Sequence, residues 1–249
     1  MRIALLADVH GNIDALDAVI DDLTRREVSR VANLGDHASG PLAPLRATRL
    51  LMAQTSWIHL AGNHERQLLT TPRAAMNPSD AHAVSELGEA ELAWMANQEP
   101  CAALGDDVLL CHGTPSSDST YLLETVTEEG QVHLATRAEI HDRLGPTQAR
   151  LIACGHSHIP RVVRTESGQL VVNPGSVGLP AYDDDRPTTH VMQVGSPDAR
   201  YAVVERVGDA WRCELISVPY DATAMIELAL ANERSDWAEA LTTGYLTSS

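Results

Sequence analysis

The chain contains no lysine and no phenylalanine; all 18 of its basic residues are arginine. Without lysine it has neither a Walker A phosphate loop nor a Schiff-base amine. Positive charge is scarce as well, since 18 Lys+Arg against 34 Asp+Glu leave a formal net charge of −16. That excess repels phosphate backbones and anionic lipid surfaces, so neither polymeric nucleic acid nor a membrane is expected as a partner. The cysteines number only 4, at positions 101, 111, 154 and 213, with no CxxC pair. This is the pattern of buried thiols in a reducing compartment, and a cytoplasmic location is expected. Long apolar runs are missing too. The first, Ile3 to Ala7, stops at Asp8, too short for a signal-peptide core or a membrane span. No repeat and no Gly-, Ser- or Pro-rich linker divides the sequence, which predicts a single domain over residues 1–249.

What is present is an alternation of apolar strands and helical periodicity. Residues 2–7 read as a buried strand, followed by a helix capped by Asn12 with Leu16, Val19, Ile20 and Leu23 at helical spacing. Strands at 30–34 and 57–60 enclose a helix at 45–53, the signature of a parallel α/β sheet. The spacing predicts one amphipathic helical region over 79–97, strands near 101–104 and 107–111, and a weak helix from Val132 to Leu144. A strand at 151–154 follows, then strands with tight turns from 160 to 218, then helices over 221–241. Two packed sheets are the simplest arrangement.

The chemistry gathers where strands end. Asp8-Val-His10, Gly35-Asp36, Gly62-Asn63-His64-Glu65, His112-Gly113 and Gly155-His156-Ser157-His158 each follow an apolar run. Binding sites of open α/β sheets lie at the carboxyl ends of strands. Asp8, His10, Asp36, Asn63, His112, His156 and His158 therefore become candidate metal ligands. Imidazole nitrogens with carboxylate and amide oxygens, and no thiolate, suit divalent Mn, Fe, Zn, Ni or Co. Seven such side chains exceed the needs of one ion and are enough for two sharing a carboxylate.

These five segments resemble the motifs of the calcineurin-like metallophosphoesterase superfamily, and Asn173-Pro-Gly-Ser-Val-Gly178 is similar to its small prokaryotic phosphodiesterase branch, related to diadenosine tetraphosphatases. The resemblance implies a four-layered α/β-β/α sandwich with a dimetal site at strand ends. It implies that Asp8, His10, Asp36 and His158 hold one ion. Asp36, Asn63, His112 and His156 hold the other, with Asp36 bridging. It further implies hydrolysis of a small soluble phosphodiester or phosphoanhydride by a hydroxide shared between the metals, and a catalytic His64 that protonates the leaving group. A serine/threonine protein phosphatase, and a non-catalytic scaffold of the same fold, are the competing readings. One departure is the run Asp36-His-Ala-Ser-Gly-Pro41, shorter by one residue than in many relatives and without their aromatic. His37 reads as a solvent-facing group or as a support for the site.

Arg66 and Arg161 follow motif residues and could grip phosphate oxygens, though surface ion pairs account for them equally. Glu65 could orient a ligand or simply begin a helix, and Asn173 with Gly175 reads as a loop beside the site. Cys111 and Cys154 read as core. The expected outcome of this charge distribution is that short soluble phosphoesters are cleaved with higher kcat/KM than DNA or RNA of any length. A competition assay at low and moderate salt checks it. Strong inhibition by long nucleic acid, relieved steeply by salt, would reveal a cationic surface that the sequence does not show.

Overall fold

The structure, a computed structural model, describes residues 1–247. The chain begins β1 (Arg2–Leu6), α1 (Ile13–Arg25), β2 (Val31–Asn33), α2 (Pro44–Ala53), β3 (Ile58–His59), α3 (Asn63–Thr70), a 3-10 turn at Arg73–Ala75, α4 (Pro78–Glu86) and α5 (Glu89–Ala96). Its middle runs β4 (Cys101–Leu104), β5 (Val108–Cys111), β6 (Glu124–Val126), β7 (Val132–Leu134), α6 (Arg137–Leu144), β8 (Leu151–Ala153), β9 (Arg161–Arg164) and β10 (Leu170–Asn173). It continues β11 (Ala181–Asp184), β12 (His190–Gln193), β13 (Ala199–Val207), β14 (Ala210–Val218), α7 (Thr223–Ala231) and α8 (Ser235–Thr243).

Two five-stranded sheets organise these elements, in the orders β14-β13-β1-β2-β3 and β4-β5-β8-β10-β9. Side chains alternate across a strand, so each sheet has two apolar faces to bury. Ile3, Leu5 and Ala7 of the first sheet meet Val108, Leu110, Leu151, Ala153 and Val172 of the second. Ala4 and Leu6 face the opposite way, onto Leu16, Val19 and Leu23 of α1 and Leu51 of α2. Cys111, Ile152, Cys154 and Val171 likewise cover Ile140 and Leu144 of α6. The result is the four-layered α/β-β/α sandwich anticipated from the sequence. Strands β1, β2 and β3 are mutually parallel, as are β5 and β8, so the carboxyl ends within each sheet point one way.

Three local expectations change. The region 79–97 is not one helix: Gly88 ends the approach and starts α5 with Glu91 capping its amide at 3.0 Å. Residues 132–134 are strand β7, paired with β6. Helix begins only at Arg137, because Thr136 caps it by accepting from Glu139 N while the Glu139 carboxylate reaches back. His37 is fully buried, not solvent-facing.

Asp22 ties the first helix to a distant strand. Its carboxylate accepts from the Tyr201 hydroxyl of β13 at 2.6 Å, from Arg26 Nε at 2.7 Å and from Arg25 Nη2 at 2.9 Å. Burial pulls the Asp22 carboxyl up, but Tyr201 and the two arginines outweigh it and hold it below its ordinary 3.8. Replacing Asp22 by Ala leaves the Tyr201 hydroxyl without its acceptor and should cost about 1–3 kcal/mol in denaturant unfolding at neutral pH. A folded-state pKa below the unfolded one gives stability that is present above the unfolded value and lost as pH falls through the folded value. The gap between wild type and Asp22→Ala should therefore narrow once the pH drops below 3.8.

Candidate metal centre

Each candidate ligand follows the end of a strand, and most sit in a backbone conformation that L-residues usually avoid. Seven non-glycine residues among those described have positive φ; five of them are Asp8, His10, Asp36, His156 and His158. Strain of about 1–3 kcal/mol per residue persists only where the surroundings over-determine it. Here the loops knit to one another: Asp8 N donates to Gly35 O at 3.0 Å, His10 N to Asp36 O at 3.0 Å, and Gly155 N to His112 O at 2.6 Å. The Asn173 amide donates to Gly155 O at 2.8 Å and Ser157 Oγ at 3.0 Å, and its oxygen accepts from Gly175 N, as its place beside the site suggested.

The seven candidate ligands and His64 converge. Asp8, His10 and His158 offer one set of donor atoms, and Asp36, His112 and His156 another, each set within 4.8 Å. Asp36 Oδ2 stands 3.1 Å from His112 Nε2 and 3.9 Å from His10 Nε2, between the two sets. Asn63 Oδ1 lies 3.0 Å from His112 Nε2. Asp36 Oδ1 accepts from His64 N at 3.0 Å, and a Cβ on Gly62 would collide with this carboxylate.

The tautomers follow from the partners. His10 Nδ1 donates to Ser39 O at 2.7 Å, His158 Nδ1 to Leu179 O at 2.7 Å, and His112 Nδ1 to Leu34 O at 2.9 Å. Carbonyls only accept, so all three Nε2 atoms point inward, those of His10 and His158 with free lone pairs. His10 Nε2 and His158 Nε2 thus face each other at 3.1 Å, lone pair to lone pair. A divalent cation is the group that such a donor set fits, with hard oxygens, imidazoles and no thiolate.

Burial lowers His10 to about 4 and His156 to about 3, keeping both neutral, the form that binds metal. Burial would lower His112 as well, but Asp36 lifts it to about 10, so this ring shares a proton with the carboxylate. Burial also works against the charged form of His64, and Asp36 and Asp80 override it, raising the imidazole to about 9. His64 Nδ1 pairs with Asp80 Oδ1 at 2.8 Å; Asp80 is buried and its other oxygen accepts from Asn77 Nδ2 at 2.7 Å. The His64 ring lies 5.4 Å from that of His10 and is partly exposed.

Sequence reasoning did not find Asp80. An Asp three residues after Asn77 is indistinguishable from an ordinary acidic residue in a first helical turn, which it also is, its N–H donating to the N-cap Asn77 Oδ1 at 2.9 Å. Trp237 of α8, whose ring is 6.0 Å from His10, carries no local signal either. Arg66 is held bidentately by Asp118 at 2.6 and 2.9 Å, and Arg161 by the buried Glu124 at 2.5 Å, so both are ion pairs. His37 bonds Asn33 at 3.0 Å and Gln98 at 2.8 Å, away from the ligand set. Glu65 does more than start a helix. Its buried carboxylate accepts from the amides of Asp36, His37 and Gly62, each at 2.8 Å.

Residues 1–196 match the model of the calcineurin-like phosphoesterase superfamily domain. The chain belongs to this superfamily and is a hydrolase. An uncharacterised protein of Methanocaldococcus jannaschii is 23% identical over 252 residues, covering 94% of each chain. A metallophosphoesterase structure from Sphaerobacter thermophilus superposes with a TM-score of 0.75 at 22% identity, covering 98% of this chain and 100% of the other. A hypothetical protein of Pyrococcus horikoshii gives a TM-score of 0.74 at 16% identity over 99% of both chains.

Because three backbone amides depend on Glu65, Glu65→Ala should destabilise the protein by at least about 3 kcal/mol, at roughly 1 kcal/mol or more per orphaned donor. Mn²⁺ uptake should fall with it, since the Asp36 turn loses its anchor. Glu65→Gln, which keeps an acceptor oxygen, should be milder on both counts. Denaturant midpoints and metal titration of the two variants check this.

Proposed function

We propose that this protein hydrolyses a small soluble phosphodiester or phosphoanhydride with the help of two divalent cations, Mn²⁺ among the suitable ones. Asp8, His10, Asp36 and His158 would hold one ion, and Asp36, Asn63, His112 and His156 the other. Ions bound there would supply Lewis acidity toward the phosphoryl group and would lower the pKa of water in the site. The observation that carries the reading is the single Asp36 carboxylate set between two groups of inward-facing imidazoles.

The chain's own residues supply the rest. The carbonyls of Ser39, Leu34 and Leu179 fix the tautomers, so metal-binding nitrogens need no reorientation. Asn63 adds a neutral oxygen that does not cancel metal charge. His64, whose Nδ1 pairs with Asp80, would give its Nε2 proton to the departing oxygen. Two metals would neutralise much of the Asp36 charge, leaving Asp80 as the main support of that proton. With Arg66 and Arg161 already paired, substrate charge would be met at the cation pair and His64, a footprint suited to a small phosphoester. Four unpaired cysteines support a cytoplasmic setting. Among the described residues no helix is long and apolar enough to cross a membrane.

Chelation should abolish turnover of a chromogenic diester and Mn²⁺ should restore it. Undiminished activity in protein shown metal-free by elemental analysis would overturn the reading. Asp36→Asn should be the most damaging ligand change, weakening both ions. His64→Ala should lower kcat by about 10²–10⁴-fold while metal occupancy stays near normal. The loss should shrink for nitrophenolate, which needs no proton to leave. An equal loss for good and poor leaving groups would assign His64 to phosphate binding instead.

A further inference from the structure

The turn His156-Ser157-His158 supplies one donor to each ligand set, and both histidines hold positive φ, 68° and 60°. Two segments remote in sequence pack against it. Tyr121 places its ring against His156, the rings 4.8 Å apart and nearly parallel at 29°. Residues 179–182 place the Leu179 carbonyl on His158 Nδ1 at 2.7 Å and the Tyr182 ring 4.5 Å from the His158 ring. The two tyrosine hydroxyls then meet at 3.0 Å.

Proton accounting fixes the direction of this link. His190 is buried and its Nδ1 donates to Thr188 O at 2.7 Å, so its Nε2 accepts. The Tyr121 hydroxyl, 3.1 Å away, must be the donor to it. Tyr121 oxygen is then free only to accept from Tyr182. The single Tyr182 proton is shared between Tyr121 oxygen and the carbonyl of His156 itself, both at 3.0 Å. His190, Tyr121 and Tyr182 therefore form a directed chain that ends on the strained peptide between the two ligand sets.

From this geometry we infer that Tyr121 and Tyr182, locked by His190, are positioning residues that hold the His156-Ser157-His158 turn in its metal-receiving conformation and couple the uptake of one ion to the other. The inference rests on the two-cation reading above. Neither tyrosine is a ligand. Each acts through the imidazole it packs against, and the hydroxyl bridge makes displacement of one imidazole felt at the other. Groups that orient metal ligands from behind typically control affinity by about 10–100-fold.

The test is calorimetric titration of the metal-stripped full chain with Mn²⁺ alone, for wild type, Tyr182→Phe and Tyr121→Phe. Tyr182→Phe keeps the ring and deletes the bridge. It should raise the Kd of the weaker ion at least about tenfold, with the metal-free melting midpoint unchanged within about 3 °C. Tyr121→Phe should do less, because the Tyr182 proton can then pass wholly to the His156 carbonyl. Wild-type Kd values in Tyr182→Phe would overturn the clamp alone. So would a metal-free midpoint that falls as far as the metal-loaded one, since the hydroxyl would then be merely structural. A wild type that takes up no second ion would overturn the two-cation reading, and the clamp with it.

Discussion

One buried carboxylate, that of Asp36, sets the terms for everything around it. It lies in the turn after β2 at positive φ, with Oδ2 between imidazoles of both donor sets and Oδ1 accepting from the His64 amide. A charged group so placed is costly unless it is paired and hydrogen-bonded. Burial would raise the Asp36 carboxyl, but His112, His64 and His10 together hold it well below the usual carboxylate range. Glu65 anchors the turn through three amides, and the bare Cα of Gly62 leaves the carboxylate room. The convergence also needs the two sheets in a fixed relation, because Asp36 belongs to one and His112 to the other. The apolar interface of Ile3, Leu5 and Leu34 against Leu110, Leu151 and Val172 provides it.

The site spends stability that the rest of the fold supplies. Its positive-φ residues and facing nitrogen lone pairs oppose folding, while the layered core and the loop-to-loop hydrogen bonds offset them. Bound cations would turn that opposition into attraction, so the stability of the site and its affinity for metal are two views of the same electrostatics. The same logic explains the acidic chain. With a formal net charge of −16, attraction for a phosphoester has to be local. The arginines nearest the motifs are already committed to Asp118 and Glu124.

Sheet strands β13 and β14 and helices α7 and α8 lie beyond residue 196, where the superfamily match ends. They are nevertheless part of the same architecture. β13 pairs with β1 through four registered residues, and Tyr201 reaches Asp22. α8 brings Trp237 against His10 and Gly40. The tail of the chain thus closes both the sheet and one wall of the site.

Much of the site was legible in the sequence. Asp8, His10, Asp36, Asn63, His112, His156 and His158 each follow an apolar strand. Polar side chains placed at parallel strand ends have few destinations other than a shared site. The strand–helix alternation told the fold class for a similar reason, since hydrophobic periodicity is written residue by residue. The break in the helical region 79–97 and the strand at 132–134 were missed because Gly88 and Thr136 act as caps, and a cap is decided by which turn its neighbours complete. Asp80, Trp237, Tyr121, Tyr182 and His190 had no signal at all. Each works through a partner tens of residues away, and composition and spacing are blind to such pairings. By itself the sequence determined the donor chemistry, the strand ends that carry it and the scarcity of positive charge, because these are properties of residue type and local order. Only the tertiary structure decided which histidine nitrogen faces inward, which arginines are already paired and what steadies His64, because those depend on groups that meet only when two sheets pack face to face.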